Sequence, residues 1–226
     1  MLSDFQIDRY SRQILLPGFG GMGQERLLAA RVAVVGSGPI AGIATTYLAA
    51  AGIGAIDVYT DASESAATPA SSAFHTNPDC RITRRSQIGS VPADLALCEW
   101  VAGVLDSTRL APLRANGRTR FVIGRAHAGT ATLVHVGTGC FRCALREFPP
   151  ANEAAPANAA LQAATEAFAG ALLAHEAIGL LTGSIAPDIV RRTDLDLRCG
   201  EVMSAGIAPW SNCTHNVPGA PAPAPR

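Results

Sequence analysis

Two groups of residues in this sequence have the types and spacing for chemistry. The first is Gly36-Ser37-Gly38-Pro39-Ile40-Ala41, a G-x-G-x-x-A turn placed directly after the apolar run Val32-Ala33-Val34-Val35. Glycines at those positions let the backbone turn sharply and approach a ligand, and the N–H groups of a following helix start attract anions. Pro39 removes one N–H but is at home in the first turn of a helix, so phosphate contact and plain helix initiation both fit the loop. The second group is Cys140-Phe141-Arg142-Cys143, whose spacing lets two thiolates grip one Zn²⁺. No second CxxC is present. Cys213 and His215 offer the remaining ligands of a Cys₃His tetrahedron, with Cys199 in reserve, and free thiols are the other reading. Cys80 and Cys98 read as small core residues. His75, His127, His135 and His175 have no partner legible in the sequence, and nothing resembles a Ser/His/Asp arrangement.

The elements that must position these groups follow from pattern and punctuation. Residues 32–35 read as a strand buried on both faces, 40–51 as an alanine-rich helix stopped by Gly52 and Gly54, and 55–59 as a second strand. That is a βαβ unit. Ahead of it, residues 2–30 read as a helical arm, with Asp4 or Asp8 as caps and a loop through Pro17-Gly18 and Gly20-Gly21. After it, residues 61–72 are small and polar and read as a loop. Residues 77–83 read as a turn and short strand, 92–105 as a helix, 120–123 as a strand, and 131–136 as its antiparallel continuation. Residues 151–158 read as a linker, 161–181 as a long helix, and the proline-rich 217–226 as a disordered tail.

Composition narrows the function classes. With 226 residues the chain is long enough for one substantial core, and its formal net charge of zero builds in no general attraction to nucleic acid or an anionic membrane. All 18 cationic residues are arginine, so no lysine is available to grip phosphate or form an isopeptide bond. Residues 1–7 lack the basic start and apolar run of a secretory leader. Glu166, His175 and Glu176 interrupt the apolar stretch 161–181, which favours a buried helix over a membrane span. Six cysteines in such a chain point to thiols or metal and to a cytoplasmic protein.

Several segments together resemble the ThiF/MoeB/HesA branch of the ubiquitin-activating superfamily. They are RYSRQILLPGFGGMGQERL (residues 9–27), the glycine loop with YLAAAGIG (47–54), NPDCRIT (77–83), CFRC (140–143) and HEAIGLLTG (175–183). They run in family order across roughly residues 5–185, with a gap in the middle. The resemblance implies an α/β, Rossmann-like, doubly wound and mostly parallel sheet, with an N-terminal helical arm and a zinc-stapled C-terminal part. It implies one domain over residues 1–216, divided into arm (1–30), nucleotide-type core (31–138) and a CxxC and late-helix part (139–216).

The implied reaction is ATP-dependent adenylation of a C-terminal glycine carboxylate on a ubiquitin-like or sulfur-carrier protein or a peptide. Its parts map onto Gly36, Gly38 and Ala41 for the nucleotide loop and Asp61 for the ribose. Arg9 and Arg12 map onto an arm that reaches a neighbouring subunit's site, and Asp94 onto the Mg²⁺ ligand. Each has a plainer alternative: Asp61 as a loop-start residue, Arg9 and Arg12 as a solvated helix face, Asp94 as a helix N-cap. The chain departs from the family between Asp61 and Asn77, where an asparagine, an arginine and a lysine for the triphosphate are absent. Arg81, Arg84 and Arg85 are possible substitutes or a solvated cluster. Two functions therefore follow from the resemblance: an adenylyltransferase, or a non-catalytic subunit that binds a carrier or peptide. The second would work in a homodimer or beside a complete paralogue.

Overall fold

The computed structural model describes residues 1–60, 77–88, 93–99, 110, 119–136, 141–148, 158–186 and 190–207. The arm comprises α1 (Asp4–Ile14) and α2 (Gly20–Ala29). Ser3, ahead of both expected aspartates, caps α1: its hydroxyl accepts the Gln6 N–H while the Gln6 side chain accepts the Ser3 N–H. The βαβ unit is β1 (Arg31–Val35), α3 (Pro39–Ala51) and β2 (Ala55–Tyr59). Pro39 occupies the first turn of α3, and Gly52 ends it with φ at 91°, a left-handed geometry that glycine reaches without strain. Then come β3 (Arg81–Arg85), β4 (Leu95–Glu99), β5 (Arg120–His127), β6 (Thr130–His135), α4 (Phe141–Leu145), α5 (Ala159–Thr182), β7 (Arg191–Asp196) and β8 (Glu201–Gly206).

The strands form one eight-stranded sheet in the order β3-β2-β1-β4-β5-β6-β7-β8. Neighbours from β3 to β5 are parallel and those from β5 to β8 antiparallel. Alternation divides the core. Val32, Val34, Ile56, Val58, Leu95, Leu97 and Val122 pack toward α3 and α5, while Ala33, Val35, Ala96, Cys98, Phe121 and Ile123 pack with Ala144 of α4 and Phe148. Gly170 brings α5 close to α3, because a Cβ there would lie 2.7 Å from the Ile40 carbonyl oxygen. By length and composition α5 could cross a membrane, but half of its apolar window is buried in the fold.

This is the mixed α/β architecture that the βαβ pattern implied, with two corrections. The helix expected over 92–105 is a strand where the structure describes it, residues 95–99. All five residues of β4 are buried, so both faces are covered and the apolar run carries no period to separate strand from helix. Asp94 therefore precedes a strand and caps no helix. The hairpin β7–β8 was not legible, because β8 is exposed along its whole length and lacks an apolar face. The stretches 61–72, 151–158 and 217–226 lie outside the described residues.

Candidate functional site

The glycine loop leaves β1 at the C-terminal edge of the parallel strands. Gly36 has φ at 144° and donates its N–H to the Tyr59 carbonyl at 3.1 Å, tying the loop to β2. Gly38 caps α3 with extended backbone. The parallel register pairs Val35 with Cys98, so Glu99 stands level with the loop. Leu95 and Leu97 face α3, and by the same alternation Glu99 does too.

Glu99 fills the cradle. Its Oε2 accepts the Gly38 N–H at 2.8 Å, and the Ile40 and Ala41 N–H groups also bond to the carboxylate. A Cβ on Gly38 would overlap Oε1 and lie 2.8 Å from Cδ, and one on Gly36 would lie 2.7 Å from Oε2. Only glycine at both positions lets a carboxylate sit so close. Burial pushes the Glu99 carboxyl above its ordinary range, and Glu166 adds to this, while the three backbone N–H groups work in the opposite direction. The N–H groups that would receive a phosphate are thus held by the chain's own anion. As folded, these residues do not fit the phosphates of ATP: a carboxylate holds the donors and would repel the incoming charge.

The other expected site residues lie elsewhere. Ala41 belongs to the cradle through its N–H. Asp94 does not: it sits at the N-terminal edge, where its Oδ2 accepts the Arg31 N–H at 2.8 Å and its own N–H meets the Arg31 carbonyl at 2.9 Å. Five residues of strand, about 16 Å, separate it from Glu99, so the carboxylate expected to hold Mg²⁺ lies away from the cradle and bonds the start of β1. Asp61, Cys140, Cys213 and His215 lie outside the described residues. Cys143 stands in α4, and among the described residues no group of three His, Cys, Asp or Glu is placed to hold a metal.

Arg12 is exposed on α1, and the arm is clamped away from the loop. Asp79 receives the Tyr10 hydroxyl at 3.0 Å, the Gln6 amide at 3.2 Å and the Arg9 guanidinium at 3.2 Å. The Asn77 amide donates to Tyr10 Oη at 2.8 Å and to the Ala49 carbonyl at 2.9 Å, which fixes the clamp to the C-terminal end of α3. Within this chain the arm thus meets the end of α3 opposite the cradle. Arg85 is committed to Asp57 at 2.6 Å, and Arg81 sits at the N-terminal edge, where its N–H meets the Gly54 carbonyl.

Residues 10–62 match the model of the ThiF family. Over this segment, about a quarter of the chain, it is similar to the ThiF family. Over 53 residues it is 57% identical to the molybdopterin-synthase adenylyltransferase of Salmonella typhimurium, and over 53 residues 51% identical to the vegetative HesA protein of Trichormus variabilis. Each match covers 24% of this chain and 21% or 20% of the relative. A longer match, 33% identical over 181 residues, joins it to the adenylyltransferase and sulfurtransferase MOCS3 of Bos taurus, covering 66% of this chain and 39% of that protein. The chain thus spans a fifth to two fifths of the length of these curated relatives. Among solved structures, E. coli MccB with MccA-N7isoASN superposes with a TM-score of 0.67 at 13% identity, over 95% of this chain and 75% of that one. PaaA superposes with a TM-score of 0.65 at 15% identity, over 91% and 75%. These superpositions establish the fold.

The ThiF segment contains the loop but not its occupant. Glu99 follows the run Leu95-Ala96-Leu97-Cys98, and a carboxylate ending such a run is a signal of sorts. Its role becomes visible only once the parallel register sets it beside Gly38.

Proposed function

We propose that this protein is a ThiF-type subunit that engages the C-terminus of a ubiquitin-like or sulfur-carrier protein, or of a peptide, without adenylating it by itself. The observation that carries the reading is the Glu99 carboxylate on the N–H groups of Gly38, Ile40 and Ala41. Phosphoryl chemistry depends on donors and cations aimed at phosphate oxygens. Here the donors are taken, Arg85 is spent on Asp57, and Asp94 is at the far edge. Relatives named SAMP-activating enzyme E1 and molybdopterin-synthase adenylyltransferase support a carrier as the ligand class. The protein would act in the cytoplasm, as a homodimer or with a complete paralogue whose site its arm, with Arg12, would help to complete. Cys140 and Cys143, with Cys213 and His215, would hold a structural Zn²⁺.

The second reading is an independent adenylyltransferase using ATP and Mg²⁺, favoured by the 57% identity over 53 residues to a protein of that name. It requires Glu99 to leave the cradle. ATP–pyrophosphate exchange separates the two. Exchange by the purified protein alone, or with a carrier, overturns the first reading; no exchange together with tight association to a complete paralogue overturns the second. A metal assay tests zinc, and less than one equivalent, unchanged by Cys140→Ser, removes that claim.

A further inference from the structure

The sheet ends at β3 on one side and at β8 on the other. An edge strand offers a row of unpaired N–H and C=O groups to another chain, and folds usually blunt such an edge with charge or proline. β3 is blunted in this way, with Arg81, Arg84 and Arg85 among its 5 residues. β8 is not. Between Glu201 and Ile207 it reads Val202-Met203-Ser204-Ala205-Gly206, exposed throughout, with Val202 65% and Met203 66% exposed.

The ladder to β7 decides which backbone groups of β8 are free. Ile207 donates its N–H to the Val190 carbonyl at 2.9 Å. Bonded and non-bonded pairs alternate along an antiparallel ladder, so Ala205, Met203 and Glu201 are the residues that bond β7, through Arg192, Asp194 and Asp196. The N–H and C=O groups of Val202, Ser204 and Gly206 therefore point away from the sheet. Beyond the ladder, no backbone group of residues 201–206 is hydrogen-bonded to another described residue.

We propose that β8 is a dimerisation edge, pairing antiparallel with the β8 of a second copy of this chain across a two-fold axis at Ser204. The edge is complementary to itself, as a two-fold interface requires. With Ser204 opposite Ser204 of the second copy, Val202 falls opposite Gly206, and all three outward residues enter pairs that exchange both of their hydrogen bonds. Val202 takes the place that Gly206 leaves without a side chain, while Met203 falls opposite Ala205, which removes apolar surface from water. Glu201 falls opposite Ile207, so no charge meets its like, and a formal net charge of zero sets up no long-range repulsion between copies. Of the reading above this takes up only the homodimer; it uses neither the cradle nor the arm.

The test is sedentation equilibrium of the full chain over a dilution series, where the wild type dissociates from dimer to monomer. Ser204→Pro removes the outward donor at the axis from both copies and leaves the ladder to β7 whole, since proline is tolerated where the N–H of an edge strand faces solvent. It keeps the thermal melt of the wild type and weakens association about tenfold or more, for the hydrogen bonds lost at the axis. Ser204→Lys sets two ammonium groups opposite each other and weakens association in a way that added salt restores. A wild type that stays monomeric throughout, or a dimer that both variants leave unchanged, overturns the proposal. A monomer whose β8 amides become protected from hydrogen exchange when a peptide ending in free Gly-Gly is added gives the edge to that ligand and also overturns it. Pyrophosphate exchange by the protein alone would overturn the earlier reading and leave the dimer standing, so the two failures are distinguishable.

Discussion

The Glu99 carboxylate accepts the Gly38 N–H at 2.8 Å, at the point where a nucleotide-binding loop of this type would offer that donor to phosphate. Removing the carboxylate should unmask the donors. In Glu99→Ala, ATP or pyrophosphate raises the melting temperature, while the wild type shows no such shift; differential scanning fluorimetry reads both. Glu99→Gln retains an oxygen acceptor and removes the charge. Because burial raises the Glu99 carboxyl above 4.5, there is a range of pH just above 4.5 in which the folded chain still holds a proton that the unfolded chain has released. The wild type should therefore lose stability relative to Glu99→Gln as pH climbs from about 4.5 through the folded value.

The clamp on the arm depends on Asp79, which gathers Gln6, Arg9 and Tyr10. Asp79→Ala should cost about 1–3 kcal/mol, the range for hydrogen bonds lost from partly buried groups, read as a lower urea midpoint. It should also release α1, so that trypsin cuts after Arg9 and Arg12 sooner. The Tyr10 hydroxyl, pushed up to about 12 chiefly by burial and further by Asp79, should titrate earlier in the variant. An unchanged proteolysis rate would mean that α1 is secured by other contacts.

Asp57 is buried on β2 between Arg31 and Arg85, each at 2.6 Å. Burial alone would raise its carboxyl, but hydrogen bonds from Arg31 and Arg85 outweigh that and hold it below the usual 3.8. Its contribution is present above pH 3.8 and lost as pH falls through the folded value. Asp57→Asn should cost roughly 1–3 kcal/mol at neutral pH, reduced from the fully buried case because both arginines are about a third exposed. It should also flatten the acid limb of the stability curve, which chemical denaturation between neutral and strongly acid pH would show.

His135 lies on β6 with both ring nitrogens buried and lacking a hydrogen-bond partner, and its Nδ1 is 3.5 Å from Glu176 Oε1. Arg191 holds Glu176 at 2.7 and 2.8 Å. Burial lowers the imidazole below 6.5, Arg191 and Arg120 push the same way, and Glu176 opposes them. The unfolded chain then binds a proton that the folded chain does not, so stability falls as pH drops below 6.5. His135→Leu should remove that fall and be neutral or stabilising at pH 7, since unsatisfied buried polar atoms cost about 1–3 kcal/mol each. Melting temperatures on either side of pH 6.5 test it.

The arm, the βαβ unit and the late helix were legible from the residues because their signals are local. Gly52 and Gly183 end α3 and α5 in left-handed geometry, and Val32 to Val35 form a short β-branched apolar run that the Gly36 turn closes. β4 was misread as a helix for the same reason: complete burial leaves no alternation to count. Asp94 was placed by its neighbours in sequence, yet its partner Arg31 is 63 residues away, a pairing that only the sheet makes.

The sequence by itself determined that a glycine turn joins a buried strand to a helix whose N–H groups seek an anion, because turn, strand and helix start are written within ten residues. Which anion sits there was decided by the tertiary structure. β4 lies parallel beside β1 in a register that sets Glu99 level with Gly36 and Gly38, and no spacing along the chain encodes that juxtaposition. The same holds for the free edge of β8, where the ladder to β7 is what turns the backbone groups of Val202, Ser204 and Gly206 outward.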